Sequence, residues 1–302
     1  MMSTDFSRDA LARCVAGALA PNMALFQLFS SAPSAEAARC ALEQAIAASQ
    51  GEGRARLLDA QSLWRDTPAA FELIKALDEH YFAQIARADH GDHIARIAAA
   101  YDAIAALSPS GSVASYSLGR EDLLEKATAE VVDHLRAEGL AHEGCEAIEI
   151  GCGIGRFLVA LSPLLSSITG VDVSTKMLEH ARERCARLVN VELVQGDGRG
   201  LRPLADRRYD LALAIDSFPH IVEAGDEAVL SNLFDIHRVL RPQGRFLIFN
   251  YSYRGDDALD RRELLRLAER TGFDVRRCGD RPFRLWDGTV FDLAKAERPP
   301  LP

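Results

Sequence analysis

The segment AIEIGCGIGRF, Ala147 to Phe157, constrains the chain more than any other: a short apolar run leads into Gly151, Gly153 and Gly155 and then into a helical pattern. A strand that ends in alternate glycines lets backbone approach a ligand closely, and the helix that follows presents free N–H groups at the same place. Several nucleotide-type cofactors are held this way, so the rest of the pattern has to separate them. The dinucleotide fingerprint puts its third glycine or alanine where this chain carries Arg156. A nicotinamide-dependent oxidoreductase is therefore the disfavoured alternative.

From Cys145 onward, β-rich runs alternate with helical ones. The runs AIEI, SITGVDV, VELVQGD, YDLALAID, RFLIFNYS, FDVRRC and TVFDLAK predict seven strands. Most are separated by amphipathic segments, among them Lys176 to Leu188, Val229 to Leu240 and Asp260 to Thr271. Such alternation predicts an α/β fold with a doubly wound, mainly parallel sheet covered by helices on both faces. Only a short loop separates the last two runs, so they are expected to pair as an antiparallel hairpin at the sheet edge or beside it.

The chain before residue 108 is of another kind. It is Ala-rich, with apolar residues at three- and four-residue spacing in Phe71, Ile74, Leu77 and in Ile94, Ile97, Tyr101, Ile104, and with breaks at Pro21, Pro33, Pro68 and Pro109. We read residues 1–107 as an all-helical region, a cap or a dimerisation surface, and residues 108–302 as the ligand-binding domain. A turn-rich connector, Ser108 to Gly119, leads into a helix expected over Arg120 to Glu138.

Composition narrows the function classes. At 302 residues and 48% hydrophobic the chain can bury a sizeable core, and a formal charge of −9 leaves no cationic excess to neutralise phosphates, so nucleic acid is not an expected partner. Six scattered cysteines form no CxxC pair and have no histidine at ligand spacing, which predicts reduced thiols, no metal and a cytoplasmic location. No run approaches membrane-spanning length, and the N-terminus lacks the basic start of a signal peptide.

In an open α/β sheet the ligand lies outside the carboxyl ends of the strands, so the residues ending each run are the candidates. The second run ends in Asp172, 21 positions after Gly151, the distance at which a carboxylate reaches a ribose diol. The third ends in Gly196-Asp197-Gly198. Taken in order, EIGCGIG, GVDVSTKML, VQGDG, YDLALAID and RVLRPQGRFLIF resemble the successive motifs of class I S-adenosylmethionine-dependent methyltransferases over roughly the C-terminal two thirds of the chain. The resemblance implies a Rossmann-like methyltransferase fold and S-adenosyl-L-methionine as cofactor. It implies that Gly151, Gly153 and Gly155 run along the methionine part of the cofactor, with Glu149 towards its amino group and Asp216 near the same end. Asp172 is implied to grip the ribose, Val173 and Met177 to pack on adenine, and Asp197 and Gly198 to meet the adenine edge. The family's Pro-Gly-Gly turn before strand five stands here as Arg241-Pro242-Gln243-Gly244.

Methyl transfer from a sulfonium is an in-line displacement in which the protein mainly aligns the reactants and takes a proton from the acceptor where one is lost. The fourth run ends in DSFPHI, where His220 is the candidate general base, of a residue type that titrates near neutrality, with Asp216 beside it; the alternative is that His220 caps the next helix. Asn250, Tyr251 and Tyr253 after the fifth run, and Arg281, Arg284 and Trp286 in the final loop, are candidates for an acceptor wall, against the reading of a packed edge loop. Tyr116 is a candidate lid residue or simply packs on its helix. No Asn/Asp-Pro-Pro-Tyr signature is present, which favours a small-molecule acceptor at O, N or C; a non-catalytic cofactor-binding or interaction protein is the other alternative.

Overall fold

The computed structural model describes residues 3–87, 92–297 and 300. By contact they divide into two units. One comprises residues up to 86 together with 103–130 and 283–287; the other comprises 87–102, 131–282 and 288 onward. The expected boundary at 107 and 108 is not where the contacts divide.

The first unit is helical: α1 Ser3–Val15, α2 Pro21–Ser31, α3 Ala35–Ala48, α4 Gly51–Asp66, α5 Ala70–Ile85 and the short α7 Pro109–Val113. Pro21 and Pro109 sit in the first turns of α2 and α7, where a missing N–H costs nothing, and the Ser34 and Ser108 hydroxyls cap α3 and α7. The apolar stripes meet around fully buried Phe29, which lies edge-on to Trp64 at 4.7 Å and to Phe71 at 5.5 Å. Buried Asn22 of α2 donates from Nδ2 to the carbonyls of Tyr116 and Leu285, at 3.1 and 2.9 Å. Removing that amide would orphan two carbonyls that lie far apart in sequence.

The second unit is an α/β sheet. Its strands are β1 Glu146–Ile150, β2 Ser167–Asp172, β3 Val191–Gln195, β4 Tyr209–Ile215, β5 Leu240–Phe249, β6 Phe273–Asp280 and β7 Val290–Lys295, in the order β3-β2-β1-β4-β5-β7-β6. The pairs from β3 through β5 are parallel, and β7 runs antiparallel to both β5 and β6. The expected hairpin therefore forms with β7 inside the sheet and β6 at its edge. The expected turn at Arg241 to Gly244 is a bulge inside β5: Tyr209 pairs with Leu240, Leu211 pairs with Arg245, and Gln243 has φ +64°.

Strand alternation sends side chains to opposite faces. Ile148, Ala212, Phe246 and Ile248 pack with Val229, Leu233 and Ile236 of α12 (Asp226–Val239) and with Leu264 and Leu267 of α13 (Asp257–Thr271). Gly170 pairs with Glu149 on the other face, which Leu158 of α9 (Arg156–Leu161) covers, and α10 (Thr175–Cys185) packs against β2 and β3. With both faces covered, β1 and β4 are buried almost throughout, which explains their unbroken apolar runs. The strand order reverses between β1 and β4, and a crevice opens at such a switch point. Two further helices, α6 His93–Leu107 and α8 Glu121–Ala137, each pass from one unit into the other. Among the described residues no helix is long and apolar enough to cross a membrane.

Candidate functional site

Glu149 sits near the end of β1, 1% exposed, and its Oε2 is buried without a hydrogen-bond partner. Burial pushes its carboxyl up to about 8, Arg156 opposes this and Asp172 adds to it. A buried acid with an unanswered oxygen is costly unless a cationic donor arrives to meet it. The loop that follows is tied to β2, since Gly151 and Cys152 both donate to the Val171 carbonyl and Gly153 N donates to Asp172 Oδ2 at 2.8 Å. Gly151 is required twice over: its φ is +72°, and a Cβ there would stand 2.3 Å from Ser217 Cβ. Arg156, at the position that excluded the dinucleotide pattern, begins α9 and is buried with its guanidinium over the Phe157 ring.

Asp172 ends β2 and is also buried; its Oδ1 accepts from Ser174 N at 2.9 Å. Burial raises its carboxyl, and backbone donors from Ser174, Gly153 and Val173 hold the rise back. Ser174 caps α10 by accepting from Met177 N, and its hydroxyl donates to Asp102 Oδ1 at 2.6 Å. Asp102 also accepts from Lys176 N, so α10 has a second cap contributed by α6. Met177 is buried and Val173 is half-buried. After β3, exposed Asp197 turns back to accept from Arg199 N at 2.8 Å. Gly198 has φ +71°, and a Cβ there would lie 2.7 Å from Ile94 Cγ2 and 3.2 Å from Val173 Cγ1.

β4 and β5 end in a second cluster. Asp216 Oδ1 accepts from Asn250 Nδ2 at 2.9 Å and from Tyr253 Oη at 2.8 Å. Buried Phe218 and Pro219 anchor α11 (Phe218–Glu223), from which His220 points with Nε2 2.6 Å from Tyr101 Oη and Nδ1 3.3 Å from Glu223 Oε2. The Tyr253 ring lies edge-on to the His220 ring at 5.6 Å.

The sheet unit thus gathers Glu149, the three glycines, Asp172, Val173, Met177, Asp197, Gly198, Asp216, His220, Asn250 and Tyr253 at the C-terminal ends of consecutive strands. Tyr251 departs from the expectation of a rim residue. It is fully buried between Phe218 and Phe291 and donates to Glu263 Oε1, while its neighbour Asn250, left-handed just past the end of β5, bonds Asp216. Arg281 lies at the surface paired with Asp257 at 2.9 Å. Tyr116 and Trp286 are buried in the helical unit, where their rings stack at 6.1 Å, and exposed Arg284 donates its backbone N–H to Glu130. Sequence pattern gives no sign of Asp102 or Glu223 at this site and shows Ile94 only as an apolar position of a helical stripe. Tyr101 likewise reads as one apolar position of that stripe, and nothing local links Asp102 to a serine 72 residues on.

Residues 147–244 match a family model described as a methyltransferase domain. The chain is 32% identical over 114 residues to a demethylmenaquinone methyltransferase of Staphylococcus epidermidis, covering 37% of this chain and 45% of that protein. A demethylmenaquinone methyltransferase of Tropheryma whipplei is 30% identical over 112 residues, 36% of this chain and 43% of the relative. The chain thus spans less than half the length of these curated relatives. A solved S-adenosylmethionine-dependent methyltransferase from Aquifex aeolicus superposes with a TM-score of 0.44 at 22% identity, covering 58% of this chain and 92% of that one. The matched segment, residues 147–244, runs from the start of β1 through the glycine loop at the switch point into β5, and it is this segment that is identified as a methyltransferase domain.

Proposed function

We propose that this protein transfers a methyl group from S-adenosylmethionine to a small-molecule acceptor. The observation that carries the reading is the buried, unpartnered Oε2 of Glu149 beside the glycine loop, with Asp172 ending the neighbouring strand. The residues present fit this cofactor: an acid awaiting a cationic donor, a backbone cradle that a Cβ at Gly151 would fill, and a second buried acid that ends the neighbouring strand 21 positions after Gly151. Glu149 would hold the amino group, Asp172 the ribose hydroxyls, Val173 and Met177 the adenine faces, and Asp197 and Gly198 the adenine edge. When bound, the cofactor supplies a methyl group activated by its sulfonium.

On the acceptor side, Asp216, Asn250 and Tyr253 form a polar wall and His220 takes the proton the acceptor loses. The net charge of −9 and the relatives named for demethylmenaquinone support a small acceptor. Calorimetry with S-adenosylhomocysteine tests the cofactor reading. Micromolar-range binding is expected, and Asp172→Ala should weaken it about 100-fold or more, because two hydrogen bonds to a charged group are lost. A wild-type protein that binds neither this ligand nor S-adenosylmethionine overturns the reading. A labelled-methyl screen with reduced demethylmenaquinone in the acceptor panel then addresses the acceptor.

A further inference from the structure

His220 is held from two sides by elements far apart in the chain. Glu223, one turn further along α11, faces Nδ1 at 3.3 Å, and the Tyr101 hydroxyl faces Nε2 at 2.6 Å. The ring is largely shielded, with 12% of its side chain exposed. Tyr101 is itself fixed by its helix: Asp102 next to it bonds Ser174 and Lys176 N, Ile94 two turns earlier lies against Gly198, and Asp92 before the helix pairs with Arg199. These contacts all lie within the sheet unit.

The chemistry of the partners decides which nitrogen carries the proton. The hydrogen bond from His220 lowers the proton affinity of Glu223 against its burial, and His93 adds to this, so Glu223 is a carboxylate. A carboxylate only accepts, so the nitrogen facing it must donate. In a neutral ring that leaves Nε2 with its lone pair, and the Tyr101 hydroxyl, which can donate, points at it. A base oriented by an acid on its far nitrogen is a recurring arrangement in catalysis, with the acid setting tautomer and direction without taking the proton itself.

Resting on the reading of His220 as general base, we infer that Glu223 and Tyr101 lock its ring as the Nδ1–H tautomer, Glu223 as a positioning residue and Tyr101 as the hydroxyl through which the acceptor's proton reaches Nε2. The step balances as follows. The acceptor X–H bond releases its proton to Tyr101 Oη while the tyrosine proton passes to Nε2. The freed pair on X forms the bond to the methyl carbon, and the C–S bond breaks with its electrons going to sulfur. The imidazolium left on His220 is paired with Glu223 and returns its proton to water after the product leaves.

The test is long-range proton–nitrogen NMR on the full chain labelled in its histidines, near neutral pH, with the His220 signals identified by their absence in His220→Ala. Wild type should show a ring protonated at Nδ1. Glu223→Ala should reverse the dominant tautomer, and Tyr101→Phe, which keeps the ring and removes one oxygen, should abolish the single dominant form. A wild-type ring protonated at Nε2 overturns the inference, because that nitrogen would donate to Tyr101 and receive nothing. Unchanged tautomers in both variants overturn it as well. These outcomes need no acceptor, whereas a failure of the general-base reading shows separately, as turnover that His220→Ala does not alter.

Discussion

Asp216 and Asn250 close the ends of neighbouring strands by bonding to each other, Asn250 Nδ2 donating to Asp216 Oδ1 at 2.9 Å with both backbones left-handed, at φ +60° and +66°. Asn250 also receives Thr289 N at Oδ1 and donates its own N–H to the Thr289 carbonyl, so one side chain ties β5 to both β4 and the start of β7. Left-handed backbone at a non-glycine residue persists only where its surroundings enforce it.

Asn250→Ala should therefore destabilise by roughly 2–4 kcal/mol, since it keeps the strained φ and removes the partly buried side-chain hydrogen bonds to Asp216 and Thr289. Urea unfolding should show a lower midpoint at an unchanged slope. Asn250→Gly should recover part of the loss by relieving the backbone alone. If alanine and glycine behave alike, the strain argument is wrong.

Gly151→Ala places a Cβ 2.3 Å from Ser217 Cβ at φ +72°. It should weaken S-adenosylhomocysteine binding at least about tenfold and cost about 2–3 kcal/mol of stability. Ser217→Gly in the same chain should restore only the part due to overlap, and full restoration would mean that the backbone conformation carries no cost.

The buried acids make stability depend on pH in a specific direction. Glu149 keeps its proton to about pH 8 in the folded chain, whereas the unfolded side chain releases it near 4.5. The folded state thus binds more protons in that window, and stability falls as pH rises from about 4.5 to about 8, then levels off. Asp172, raised by burial, contributes with the same sign. Glu149→Gln, without ligand, should flatten much of this slope and be the more stable protein at pH 8, by on the order of 2 to 4 kcal/mol. Parallel wild-type and variant curves across that range would count against the buried charge.

His220→Ala should lower turnover by about 10² to 10⁴ while leaving S-adenosylhomocysteine affinity within about twofold, as expected for a proton-transfer group that the cofactor does not touch. Equal losses in binding and turnover would assign His220 to the cofactor instead.

Local pattern determined much of this protein. Alternating apolar runs fixed seven strands and their helices, because burial on one or both faces writes its period directly into neighbouring residues. The positions of the glycine loop, Asp172 and the Asp197-Gly198 pair at strand ends were legible because each ends or follows its own strand within a few residues, and Arg156 departs from the dinucleotide spacing on the same local scale. What no local pattern carries is the meeting of distant elements. The insertion of β7 between β5 and β6, the inward turn of Tyr251, and the placement of Tyr101 on His220 across 119 residues depend on how strands pair and helices pack. Tyr101 at position 101 satisfies the same apolar stripe whichever way its hydroxyl points, so only tertiary structure could decide that it faces the imidazole.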